Sequence, residues 1–117
     1  MDPSGGRSEL AQLRRGVLQF CVMTLLRDGE KYGFELVREL RDAQGLVASE
    51  GTIYPLLARL RNKGLVNSFW RESESGPPRR YYTLTTAGSR ALRQFTADWV
   101  SFRTAVDHLL DLEENHL

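Results

Sequence analysis

At 117 residues the chain is the size of one domain with a modest core. Hydrophobic residues at 41% and charged residues at 26% are ordinary for a soluble globular protein. A formal net charge of +1 rules out a polycation held to nucleic acid by bulk charge, so any such role rests on local charge.

The first six residues are rich in Gly, Ser and Pro and are expected to be disordered. A helix is predicted from about Ser8 to Leu26. Leu10, Leu13, Val17 and Phe20 mark one face of it, and Leu18, Val22 and Leu25 another. Two apolar faces exceed what a small core needs, so one is expected to meet a partner. The single cysteine, Cys21, falls within this pattern and reads as a buried structural thiol. Asp28-Gly29 breaks the helix.

A second helix is predicted from about Gly33 to Ala43, with Leu36, Val37 and Leu40 on its core face and Gly45 ending it. Leu46-Val47-Ala48 then leads to a third helix. Ser49 is placed to cap it, Ile53, Leu56, Leu57 and Leu60 form its apolar stripe, and Gly64 suits its C′ position. Opposite the stripe lie Gly51, Pro55, Ala58 and Asn62, edged by Thr52 and Arg59 on one side and by Tyr54 and Arg61 on the other. None of the four is charged and most are small. Such a strip lets a backbone approach a groove floor, while hydroxyls and guanidinium groups at its edges reach phosphates or bases. Pro55 should disturb the turn that holds the Gly51 carbonyl. The alternative is a plain amphipathic core helix with incidental arginines.

After Gly64 the period changes to two. Residues 65–70 and 80–84 are β-prone, and Ser73 to Pro78 between them are turn formers, giving a hairpin with a flexible tip. Arg79 and Arg80 open its return strand. A hairpin after a recognition helix is a wing, and basic wing residues reach phosphates or the minor groove. Between Ser49 and Leu84 the chain carries Arg59, Arg61, Lys63, Arg71, Arg79 and Arg80, and the tail carries Asp107, Asp111, Glu113 and Glu114. A basic middle and an acidic end cancel in the sum but not in space.

Thr85 is placed to cap a last helix over residues 86–112, roughly 40 Å long at 1.5 Å per residue. Leu92, Phe95, Trp99, Phe102, Val106 and Leu109 recur at the a/d spacing of a helix-packing seam. A helix this long projects from a small domain, and a second copy of the chain would bury its seam. The spare face of the first helix, with Leu10, Leu13 and Val17, would receive it.

The expected fold is therefore mostly α with a small β-hairpin. It divides into a disordered N-terminus (1–7), a winged helix-turn-helix (8–85), a C-terminal dimerisation helix (86–112) and a tail (113–117). Candidate DNA contacts are Ser49, Thr52, Tyr54, Pro55, Arg59, Arg61, Lys63, Arg79, Arg80 and Tyr81. His108 and His116 have no cysteine near them in sequence, so no metal-ligand set is predicted. Neither a glycine-rich phosphate loop nor a nucleophile motif is present, so catalysis and cofactors are not expected. No stretch approaches a membrane span and the N-terminus lacks a signal-peptide shape, so a cytoplasmic location is expected. A winged-helix module that binds protein rather than DNA is the competing reading, and the arginines at the wing and helix edge argue against it. A MarR-type regulator would generally need a longer chain with more helices flanking the wing.

The chain resembles the PadR family of bacterial transcriptional regulators, in particular its short subgroup with one C-terminal helix. The resemblance rests on Tyr32-Gly33-Phe34-Glu35-Leu36, Gly51-Thr52-Ile53-Tyr54-Pro55-Leu56-Leu57, Arg59-Leu60 and Lys63-Gly64-Leu65-Val66. It continues through Arg79-Arg80-Tyr81-Tyr82-Thr83-Leu84-Thr85 and Ala87-Gly88. Lys31 departs from the His that many relatives have before the aromatic-Gly pair. The resemblance implies a homodimer on a pseudo-palindromic operator that usually represses its own or a neighbouring gene. It also implies, for some members, release by a planar small molecule stacked on a tryptophan of the last helix, whose position Trp99 matches. Asp98, Phe95 and Phe102 would then line the slot with it. The bland alternative is that Trp99 is one more knob in the seam.

Overall fold

The apolar stripes converge on one core in a computed structural model of the chain, which describes residues 3–112 except 44, 45 and 47. The described elements run α1 (Pro3–Leu25), β1 (Lys31–Tyr32), α2 (Gly33–Asp42), α3 (Glu50–Asn62), β2 (Val66–Ser73), β3 (Gly76–Leu84) and α4 (Thr86–Leu110). Leu18, Val22, Met23 and Leu26 from α1 and its end meet Leu36, Val37 and Leu40 from α2 and Ile53, Leu56, Leu57 and Leu60 from α3. Val66, Tyr82 and Leu92 complete this core from β2, β3 and α4. Full burial of each aliphatic side chain is worth about 1.5–3 kcal/mol relative to exposure.

α1 starts at Pro3, ahead of the expected Ser8, so most of the segment read as disordered is helical. Proline suits a first helical turn, where its missing N–H would have no partner anyway. The two faces of α1 separate in part, since Phe20, expected on the partner face, packs against the chain's own core. Leu18 and Val22 are buried, while Leu10 and Leu13 stay exposed. α2 begins with the Glu35 carboxylate accepting from the Tyr32 backbone N–H at 3.0 Å. It stops at Ala43, whose N–H bonds the Leu40 carbonyl. Gly45, the expected stop, and Val47 lie outside the described residues.

Ser49 does occupy the N-cap of α3, but its hydroxyl makes no cap bond. It lies instead 3.2 Å from the Thr52 hydroxyl, and the first-turn N–H groups of Thr52 and Ile53 bond the Ser49 carbonyl. The other end follows the sequence closely. Gly64 has φ +76°, its N–H bonds the Arg61 carbonyl, and the Leu65 N–H bonds the Leu60 carbonyl. That paired closure is the Schellman motif, and its left-handed residue favours glycine.

The sheet has order β1-β3-β2, all antiparallel. β1 was not expected; two residues are too short to show a period, and they pair only with Tyr81 and Tyr82. The hairpin tip is also tighter than expected. β2 and β3 run on to a Ser73–Gly76 pair, so only Glu74 and Ser75 turn. Pro77 and Pro78 are tolerated because β3 has no β1 neighbour there and the register shifts between Arg71 and Ser73.

One corner ties α4 to the rest. The Thr85 hydroxyl accepts from the Gly88 N–H at 2.9 Å and donates to the Gly64 carbonyl at 2.7 Å. The Thr85 N–H bonds the Leu65 carbonyl at 3.1 Å. A Cβ on Gly88 would sit 2.1 Å from that same carbonyl oxygen and 2.7 Å from Leu84 Cδ1. Only glycine lets the first turn of α4 lie this close. At its far end α4 stops at Leu110, two residues before the expected Leu112, where Asp111 turns left-handed at φ 61°.

Replacing Gly88 by Ala should therefore cost about 1–3 kcal/mol through overpacking. Gly16→Ala, on an exposed turn of α1 with open space around it, should instead gain about 0.5–1 kcal/mol from helix propensity alone. Urea unfolding of the two variants checks the pair. A Gly88→Ala protein as stable as the parent would contradict the crowded corner.

Candidate nucleic-acid interface

The strip on α3 faces away from the core as its spacing requires. Gly51, Pro55 and Asn62 are exposed, as are Arg59 and Lys63, while Thr52, Ala58 and Arg61 are half-buried. α1 walls one side of it. A depression of about 250 Å³ is lined by Arg15 and Leu18 from α1 and by Gly51, Thr52, Pro55, Leu56 and Arg59 from α3. Arg15 was not singled out in the sequence, although Ala11, Arg15, Leu18 and Val22 share a helical face.

Tyr54 walls the other side. Its ring packs on the start of α2 so closely that a Cβ on Gly33 would lie 2.4 Å from Tyr54 Cε1. This explains the aromatic-Gly pair: Gly33 makes room for Tyr54. Beyond Tyr54 opens a cleft of about 440 Å³ between α3 and the wing, lined by Tyr32, Gly33, Phe34, Tyr54, Trp70, Arg79, Arg80 and Tyr82. No lining residue is acidic.

The wing arginines differ in what they touch. Arg71 forms an ion pair with Glu30 and stacks over Phe69 and Tyr81, at 5.2 and 4.5 Å from their ring centres. Arg79 lies 4.5 Å over the Tyr32 ring. Arg80 donates from Nε to the Ser68 hydroxyl at 3.1 Å and stacks near Trp70 and Tyr82. Neither Arg79 nor Arg80 has a carboxylate partner among the described residues. Strand parity sets Tyr81 with Phe69 and Arg71 on one sheet face, and Arg80 with Trp70, Ser68 and Tyr82 on the other. Tyr81, a candidate DNA contact, packs with Phe69, Arg71 and Tyr32 on the opposite face from Tyr82.

Two phenols at this surface are held neutral. Burial raises the Tyr54 hydroxyl above the ordinary tyrosine value, with smaller pushes from Glu50, Tyr82 and Tyr32. Burial raises Tyr82 as well, against a lowering by Arg61.

A second surface runs along α4. Phe95 stacks on Phe20 of α1 with ring centres 3.8 Å apart and planes 3° apart. Trp99 follows at 6.0 Å from Phe95, and Phe102 at 6.3 Å from Trp99. Leu92, the first residue of the predicted seam, is buried in the chain's own core and is not open to a partner. The seam starts one turn later, because α1 covers the base of α4. Further along, Phe102 is 57% and Leu109 82% exposed, and Val106 is half-buried. Asp98 is exposed and accepts from Gln94 Nε2 at 3.0 Å.

Residues 22–94 match the profile of the transcriptional regulator PadR-like family, well over half the chain. The chain belongs to the PadR-like family. A PadR family regulator from Eggerthella lenta, known from its crystal structure, is 37% identical with a TM-score of 0.80, covering 94% of this chain and 96% of that one. A transcriptional regulator of Mycobacterium tuberculosis is 34% identical over 73% of this chain and 78% of its own length. The negative transcriptional regulator PadR of Bacillus subtilis is 28% identical over 72% of this chain, which spans 45% of that longer protein. The chain is thus a DNA-binding transcriptional regulator of winged helix-turn-helix build, not an enzyme. Among the described residues one long helix, α4, follows the wing, as in the expected short-subgroup layout.

In this PadR-like chain the sequence reading passed over Trp70, Ser68 and Tyr82. Their signal was parity with Arg80 across the hairpin, legible only once the register is fixed. Among the described residues no helix is long and apolar enough to cross a membrane, and no group of three or more His, Cys, Asp or Glu comes together.

The raised phenols predict an alkaline response. A group whose folded pKa is raised contributes stability below its unfolded value, and that stability is lost as pH rises through the folded one. Stability should hold below pH about 10 and fall above it. In a titration followed at 295 nm, Tyr54→Phe should remove a late-ionising phenol. Loss of an early one would contradict the partial desolvation of the Tyr54 hydroxyl.

Proposed function

We propose that the chain is a homodimeric repressor on a pseudo-palindromic double-stranded DNA operator in the cytoplasm, released by a planar small molecule. The observation that carries the DNA reading is the pairing of an uncharged, outward α3 strip with two wing arginines, Arg79 and Arg80, that have no carboxylate partner among the described residues. α3 would enter the major groove with Thr52, Tyr54, Pro55 and Arg59 against bases or backbone. Ser49, Arg61, Lys63, Arg79 and Arg80 would hold phosphates, and Tyr81 would support the wing from behind. A protein-binding module has less use for two unneutralised arginines beside an aromatic cleft. The repressor role is supported by the negative regulator from Bacillus subtilis among the relatives.

The homodimer is supported by exposed Phe102 and Leu109 on α4 and exposed Leu10 and Leu13 on α1. These apolar faces, with Val17, Phe95, Trp99 and Val106, would bury each other across a two-fold axis. Wild-type protein incubated with a random duplex pool should enrich two related half-sites about 34 Å apart, or a multiple of that, with salt-sensitive affinity. Thr52→Ala should shift the enriched sequence. Phe102→Asp, which would bury an unpaired charge, should weaken the dimer by at least about 100-fold and operator binding with it. A wild-type monomer at micromolar concentration in sedimentation, or no enriched duplex, would defeat this reading.

The inducer is supported by the Phe95, Trp99 and Phe102 ladder. Two such ladders facing across the axis would leave a slot for a flat aromatic ring, with Asp98 nearby to favour a cationic ligand. Micromolar affinity is the expected scale, since ring stacking is worth a few kcal/mol before association costs. The ligand would act by favouring a dimer spacing that misfits the operator. Planar dyes should quench tryptophan emission saturably, and Trp99→Ala that still dimerises should lose the effect. Quenching that survives, then arising from Trp70, would leave Trp99 as seam packing only.

A further inference from the structure

Arg80 is a wing cation held in place without a carboxylate partner among the described residues. Its Nε is committed to the Ser68 hydroxyl at 3.1 Å. Its guanidinium carbon lies 5.6 Å from the Trp70 ring centre and 6.0 Å from that of Tyr82. Trp70 is its direct cross-strand partner, and Ser68 pairs with Tyr82 one pleat repeat further along the same face. An arginine so held has lost rotamer freedom before any ligand arrives, while its two terminal nitrogens stay free as a planar fork. Trp70 itself is 65% exposed, an unusual place for an indole with no core to serve. The cleft in front of the fork has aromatic walls, the Tyr54 hydroxyl and no acidic residue.

We infer that this cleft seats one phosphodiester of the DNA backbone, gripped by the Arg80 fork, and that Ser68 and Trp70 are positioning residues that orient that fork. The inference rests on the DNA-binding reading of the wing and deepens it. The occupant follows from charge and place: the Arg80 guanidinium, with no carboxylate partner among the described residues and no acidic side chain lining the cleft, stands at the join between a groove-reading helix and a wing. A backbone strand crosses that join wherever helix and wing occupy neighbouring grooves. Ser68 acts by holding Nε, so the fork faces the cleft instead of sweeping solvent. Trp70, itself exposed, acts as the plane on which the half-buried Arg80 guanidinium rests.

The test is a mutant cycle on a duplex enriched by wild-type protein, with circular dichroism and thermal midpoints confirming that each variant folds. Ser68→Ala should weaken binding about 3- to 10-fold, the scale of one ordinary hydrogen bond, with base preference unchanged. Ser68→Thr, which keeps the hydroxyl, should bind as wild type does. Trp70→Ala should weaken binding at least as much as Ser68→Ala. Arg80→Ala should weaken it more, and lower the salt slope by about 1. In the Arg80→Ala background the Ser68 and Trp70 changes should add less than about twofold, because what they position is gone.

Ser68→Ala binding as tightly as wild type would overturn the positioning role. So would Ser68 or Trp70 effects that persist at full size without Arg80, since those residues would then touch DNA themselves. Arg80→Ala binding like wild type would overturn the phosphate seat while leaving DNA binding intact. Wild-type protein that enriches no duplex would instead defeat the underlying reading, and the inference with it.

Discussion

The direction in which α4 leaves the domain depends on one crowded contact, that of Gly88 with the Leu65 carbonyl. Leu65 is part of the Schellman closure of α3, and Thr85 bonds both the Gly64 carbonyl and the Gly88 N–H. The end of the groove-facing helix and the start of the projecting helix are thus one hydrogen-bonded unit. A dimer formed through α4 would inherit from this corner the separation and tilt of its two α3 helices. The Phe20–Phe95 stack braces α4 a second time, two turns further on. Beyond it Trp99 and Val106 are half-buried, while Phe102 and Leu109 are exposed.

A second constraint runs through Tyr54. Its ring needs Gly33 at the start of α2, and its hydroxyl end opens on the cleft beside the wing. The β1 pair that follows from Lys31 and Tyr32 fastens the same region to β3. Helix-turn-helix and wing are therefore braced against each other through an aromatic wall rather than through a polar network. Within the wing, charge is sorted by partner. Arg71 is neutralised by Glu30 on the outer face, whereas Arg80 is oriented by a hydroxyl and an indole on the inner face and keeps its charge. Salt bridges at such exposure contribute little to stability. The sorting matters for where positive potential faces outward.

Much of this was legible in the sequence, where period and capping signals are local. Ile53, Leu56, Leu57 and Leu60 all turned inward, Gly64 took its positive φ, and Thr85 capped α4. What failed to show were features decided by distant neighbours. The two residues of β1 exist as a strand only because β3 lies beside them. Pro77 and Pro78 read as loop, since their tolerance depends on β1 ending short of them. Leu92 fits the seam by spacing, yet α1 and the sheet claim it for the core. Arg79 and Arg80 looked alike as adjacent arginines, and only the hairpin register gives one of them to Tyr32 and the other to Ser68 and Trp70.

The central claim is that α3 and the inner face of the wing meet DNA together while α4 serves assembly. Backbone hydrogen exchange with and without an enriched duplex tests it most directly. Exchange should slow on DNA binding around the first turns of α3, residues 50–55, and in the wing, residues 68–80, with α4 beyond Trp99 unchanged. Protection confined to α4 or to the exposed face of α1, with α3 and the wing exchanging as in the free protein, would contradict it.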